Sequence, residues 1–188
     1  MKKLILALLL SLFASQVLAH PGHGLESTYA GFMHPVTGWD HLLVMLGIGL
    51  WAAKLGGNAR WQLPLTFVSV MALGAILGAA GFYFMGVETA IAASVMAIGV
   101  LLILSVPMHK TLQLSITAIF ALFHGMAHGM ELAVSSSIVG VMGGMLIATV
   151  VLHGIGLLFG LQHAKWDKYL QDCIASLMLI AGSYLLLS

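Results

Sequence analysis

Nine histidines outnumber the six acidic residues in this 188-residue chain, and two runs gather them with carboxylates. The first run is His34-Pro35-Val36-Thr37-Gly38-Trp39-Asp40-His41. The second is Phe123-His124-Gly125-Met126-Ala127-His128-Gly129-Met130-Glu131. In the second run the two histidines are four apart and Glu131 follows three later, so all three share one face of a helix. Two imidazoles at that spacing can chelate a single ion. A donor set of imidazole and carboxylate suits borderline divalent ions such as nickel, cobalt, zinc or copper better than magnesium or calcium. Met126 and Met130 interleave with the second run and read as packing residues rather than as soft ligands.

The elements that must position these residues belong to a membrane protein. Hydrophobic residues make up 61% of the chain, charged residues 7%, and the mean hydropathy is +1.07. A soluble domain carries roughly a quarter charged residues to keep its surface wet. With a net charge of +1 nothing points to a nucleic-acid partner. The single cysteine, Cys173, excludes an internal disulfide and reads as a small apolar residue. Met1–Ala19 has the form of a cleaved signal peptide: Lys2 and Lys3, an apolar Leu4–Ala14, and small residues ending at Ala19. The expected mature chain, 20–188, is one all-α domain: a polytopic bundle of six transmembrane helices. The spans are placed near Trp39–Leu55, Trp61–Met85, Val87–Val106, Leu112–Met130, Ala133–Leu161 and Tyr169–Leu187. The fifth is long enough to tilt, or to break near Gly140, Gly143 and Gly144. Pairs spaced four apart, Gly74 with Gly78, Gly140 with Gly144 and Gly156 with Gly160, fit the small-residue pattern that lets helices approach closely. Such glycine-rich faces could also serve a second copy of the chain.

Charge orients the bundle. Lys54, Arg60, Lys110, Lys165 and Lys168 all fall in alternate loops, while the opposite loops carry Glu88 and Glu131. The positive-inside rule makes the lysine-bearing side cytoplasmic and puts both mature termini outside. Pro35 and Gly38 disfavour a regular helix before Trp39, so His34 is expected in a turn that folds back, with Asp40 and His41 in the first turn of the first span. The fourth span rises from the cytoplasm, placing His124 about 18 Å and His128 about 24 Å up at 1.5 Å per residue. Both clusters thus fall in the outer half of the membrane, where one ion could meet ligands from each. His153 reads on its own as an interhelical hydrogen-bonding residue, as do His109 and His163 nearer the cytoplasmic rim. Its depth in the fifth span also makes it a candidate second, inner station. The mature start, His20-Pro21-Gly22-His23-Gly24, is either a solvated tail or an outer metal-capturing leader.

The His-Pro-x-x-Gly-x-Asp-His and Phe-His-Gly-x-Ala-His-Gly-x-Glu runs resemble those of the HupE/UreJ family, and the resemblance covers nearly the whole chain. It implies an inner-membrane nickel permease, with cobalt linked to some members, serving enzymes such as hydrogenase or urease. It carries His34, Asp40, His41, His124, His128 and Glu131 over as metal-handling residues. Larger nickel/cobalt transporters use a His-x4-Asp-His signature, whereas five residues separate His34 from Asp40 here, so their site geometry does not transfer. The expected partners are the bilayer and a divalent ion as cargo, Ni2+ first and Co2+ or Zn2+ next, with no resident cofactor. Two rival readings are an intramembrane metal-dependent hydrolase and a non-transporting metal sensor or insertion factor. No His-Glu-x-x-His motif or serine-nucleophile motif supports the hydrolase. No ATP-binding loop is present, so energy would come from a gradient or a partner.

Overall fold

The computed structural model describes residues 27–82, 84–104, 106–132, 137–162 and 167–187. The leader Met1–Ala19, His20, His23, His163, Lys165 and the side chain of Lys168 lie outside the described residues. Seven helices are described: α1 (Thr28–Thr37), α2 (Trp39–Leu55), α3 (Ala59–Ala79), α4 (Val87–Leu104), α5 (Lys110–Leu132), α6 (Ile138–Leu161) and α7 (Asp167–Leu187). No strand occurs among the described residues.

Three of them, α3, α4 and α6, are long and apolar enough to cross a membrane, and α1 with α2 passes the same test as a pair bent by 82°. The coarse conclusion is an all-helical, multi-pass membrane protein. Large apolar side chains turned away from the bundle agree with a lipid-facing surface, among them Leu73 and Ile76 on α3 and Val150 and Leu158 on α6. α6 runs unbroken past Gly140, Gly143 and Gly144, so the break offered for that stretch does not occur.

The residues expected as a turn before Trp39 are a helix. Ser27 caps α1 by accepting the Ala30 N–H at 3.1 Å. Pro35 sits inside this helix, where its ring forgoes one backbone hydrogen bond. The Thr37 hydroxyl then folds back onto the Met33 and His34 carbonyls, and Gly38 leaves helical geometry at φ −79°, ψ 114°. The chain does turn back, as the proline and glycine suggested, but at Gly38 rather than at His34. His34 is thereby held on a helix, one turn before the corner.

α2 lies at the centre, with Val44, Met45, Ile48 and Trp51 at most 2% exposed. It packs against α3, α4 and α6, while α3 pairs with α5 and α4 with α7. Bare glycine faces make these pairings close. A Cβ on Gly125 or Gly129 of α5 would collide with the Met71 or Ala75 carbonyl of α3. Across the same seam, Gly74 faces the Leu122 carbonyl at 2.5 Å from a notional Cβ. The glycine stripe beside the histidines therefore admits a helix. Gly144 is filled in the same way by the backbone of α1, and Gly156 by that of α2. At the opposite end of the bundle from Asp40, the Lys54 ammonium at the end of α2 donates to the Leu102 carbonyl near the end of α4.

Candidate metal centre

Four imidazoles from three helices meet in one cluster. α1 supplies His34, the start of α2 supplies Asp40 and His41, and α5 supplies His124, His128 and Glu131. The His41 ring centre lies 4.5 Å from that of His128 and 5.0 Å from that of His124, and the His34 ring lies 5.1 Å from that of His128. One ring nitrogen each of His34, His41 and His128 falls within 4.8 Å of the others, close enough to share one ion. His124 is the fourth member, one helical turn below His128 and fully buried.

The way each ring is held is informative. His41 donates its Nδ1–H to Asp40 Oδ1 at 2.7 Å, and the same oxygen accepts the His41 backbone N–H at 2.8 Å. His124 donates Nδ1–H to the Phe120 carbonyl at 2.9 Å. A carbonyl oxygen only accepts, so the proton must sit on Nδ1 and the lone pair on Nε2. In both residues Nε2 is buried and has no hydrogen-bond partner, and neither nitrogen of His128 has one. Burying an imidazole nitrogen unpaired costs about 1–3 kcal/mol. A ligating histidine characteristically donates its other N–H to a carboxylate or carbonyl, which fixes tautomer and aim. His41 with Asp40, and His124 with Phe120, have that arrangement.

Glu131 ends the cluster at the rim. Its Oε2 lies 3.2 Å from His34 Nε2 and 4.0 Å from His128 Nδ1, and its side chain is 46% exposed. A half-exposed carboxylate that touches two of the histidines forms a mouth: it can meet a hydrated cation and remain in contact with the buried donors. Glu88 opens α4 at the end where Glu131 closes α5, so this rim is acidic while Lys54, Arg60 and Lys110 stand at the other.

All six residues singled out in the two runs thus converge. His153 does not join them. It sits on α6 and donates Nδ1–H to the Met45 carbonyl of α2 at 2.7 Å, the interhelical bond its sequence setting suggested. Its Nε2 is nevertheless buried without a partner. His109 is exposed just before α5, at the lysine-bearing end. Sequence reasoning missed Phe67 of α3, which is fully buried with its ring 5.7 Å from that of His124 and 5.0 Å from that of His153. A lone aromatic in an apolar span carries no signal of such a position.

Comparison with known proteins agrees with the two runs. The HupE / UreJ protein family matches residues 7–185. The chain is 40% identical over 169 residues to Protein HupE of Rhizobium leguminosarum bv. viciae, covering 89% of this chain and 88% of that one. No solved structure matches it. With both runs present and nearly the full length matched, the chain belongs to the HupE/UreJ family.

Proposed function

We propose that this protein is an inner-membrane permease that takes up a divalent transition-metal ion, Ni2+ first, from the periplasm into the cytoplasm. The cargo would supply nickel enzymes such as hydrogenase or urease. The observation that carries this reading is the convergence of four histidines, three of which, His41, His124 and His128, hold buried nitrogens without hydrogen-bond partners. Imidazoles in that state lose nothing further by desolvation when they bind an ion, and they match the borderline hardness of Ni2+. Membership of a family associated with metal uptake, rather than with an enzymatic reaction, points the same way.

In this account α2 to α7 each cross the membrane, and α1 is a short helix that folds His34 back over the outer end of α2. The leader is removed after Ala19, both mature termini are periplasmic, and Lys54, Arg60 and Lys110 mark the cytoplasmic side. The ion meets Glu131 and His34 first, exchanges water for the nitrogens of His41, His128 and His124, and then passes inward. His20 and His23 on the mature leader would raise the local concentration of ions at this mouth. No metal resides permanently, and the donor set admits Co2+ or Zn2+ as competitors.

The test is uptake by purified protein in liposomes. Accumulation of radioactive nickel in vesicles carrying the wild type, with none in empty vesicles, is the expected result. Tight binding of one nickel per chain without flux would instead favour a sensor or a metalloenzyme.

A further inference from the structure

Beneath the four-histidine cluster lies a second group of donors. His153 and Thr149 are one turn apart on α6, and both reach α2: His153 through the Met45 carbonyl, Thr149 through the Met45 sulfur at 3.4 Å. The Thr149 hydroxyl also lies 3.8 Å from the sulfur of Met71 on α3, while it donates to the Met145 carbonyl at 2.8 Å. Met45, Met71, Thr149 and His153 are all at most 2% exposed. Three helices thus bring two thioethers to one buried hydroxyl, with an imidazole one turn away. The His153 Nδ1–H is committed to a carbonyl, so its Nε2 holds a lone pair, and that atom has no partner.

Two features join this group to the outer cluster. Phe67 stands one turn from Met71 on α3 and touches the rings of both His124 and His153. A cavity of about 10 Å³ has His128, Met71 and Met145 among its lining residues. That is room for about one water-sized particle. Met71 thus shares a cavity with His128, and His153 shares the Phe67 ring with His124.

We infer that His153, with the thioethers of Met45 and Met71, forms a second cation station, which receives the ion that the outer histidines release. This inference rests on the transport reading and deepens it. The chemistry of the station fits a waypoint. Imidazole and thioether are borderline-to-soft donors that discriminate against magnesium and calcium. With no carboxylate among them, they hold a divalent ion less firmly than the outer cluster with Asp40 and Glu131. A path conducts when each site binds well enough to be entered and weakly enough to be left.

The test is a titration of the detergent-purified full chain with nickel chloride, followed by X-ray absorption of the loaded protein. Two equivalents are expected in the wild type. His128→Ala should lose the tighter one and keep a nickel with sulfur among its neighbours. His153→Gln should keep the tighter equivalent, lose the weaker and lose flux. Gln retains a donor for the Met45 carbonyl, and the volume-conserving pair Met45→Leu with Met71→Leu removes the sulfurs alone should His153→Gln fail to fold. That pair should abolish the sulfur signal. A single equivalent in the wild type, or a purely nitrogen and oxygen environment in His128→Ala, overturns the second station while the transport reading stands. A wild type that binds no nickel overturns both.

Discussion

Asp40 shows how a single side chain prepares a site. One of its oxygens accepts both the ring and the backbone N–H of His41, so the imidazole is aimed and its Nε2 left as the donor. Replacing Asp40 with Asn removes the anionic acceptor and frees the ring to change tautomer. Nickel affinity should fall by about 10–100-fold, as expected for a partner that orients a ligand. Isothermal titration of the purified variant checks this, and an unchanged affinity would deny Asp40 that role. Proton competition acts on the same atoms. The neutral imidazole is the ligand, so affinity is lost as pH falls and the lone pairs are taken by protons. Nickel affinity in the same titration should therefore fall as the buffer is acidified. An affinity that does not change with pH would argue against histidine ligation.

The helices hold these residues through contacts that leave no space for a side chain. At Gly125 and Gly129 the neighbouring atoms are backbone carbonyls of α3, which cannot swing aside as a side-chain end could. Gly129→Val should therefore separate α3 from α5 and destabilise the fold by at least about 1–3 kcal/mol. Gly143→Ala, where a Cβ meets nothing within 4 Å, should be close to neutral. Thermal unfolding in one detergent compares the two, and equal losses would mean that the glycine seam does not set the packing. The same elements show what the residues disclosed in advance. The four-residue spacing of His124 and His128, and of the glycines beside them, is a property of one helix and is visible in the chain. α1 was not visible: Pro35 argued against a helix, yet the cap at Ser27 and the close fit of Gly31 and Gly144 between α1 and α6 stabilise one. Phe67 was not visible either, because its importance is a contact between three helices and has no local pattern.

At the scale of the whole molecule the two ends differ in charge. Asp40, Glu88 and Glu131 mark one rim, and Lys54, Arg60 and Lys110 the other. That asymmetry gives the proposed path its direction, since cations gather at an acidic rim and the proposed orientation puts the basic rim in the cytoplasm. With Cys173 changed to Ala, a cysteine introduced at Glu88 should react with an impermeant thiol reagent from the periplasmic side. One at Lys110 should react only after the inner membrane is opened. The reverse pattern would invert the topology and make the cluster an exit site.

The claim on which the rest depends is that metal crosses the membrane by way of the converged histidines. Nickel-63 uptake into proteoliposomes, comparing the wild type with His128→Ala and adding cobalt or zinc as competitors, tests it most directly. The account predicts uptake in the wild type that cobalt and zinc diminish and that His128→Ala abolishes. Equal flux in wild type and mutant would contradict it, because His128 has two buried nitrogens and no hydrogen-bond partner at the centre of the cluster.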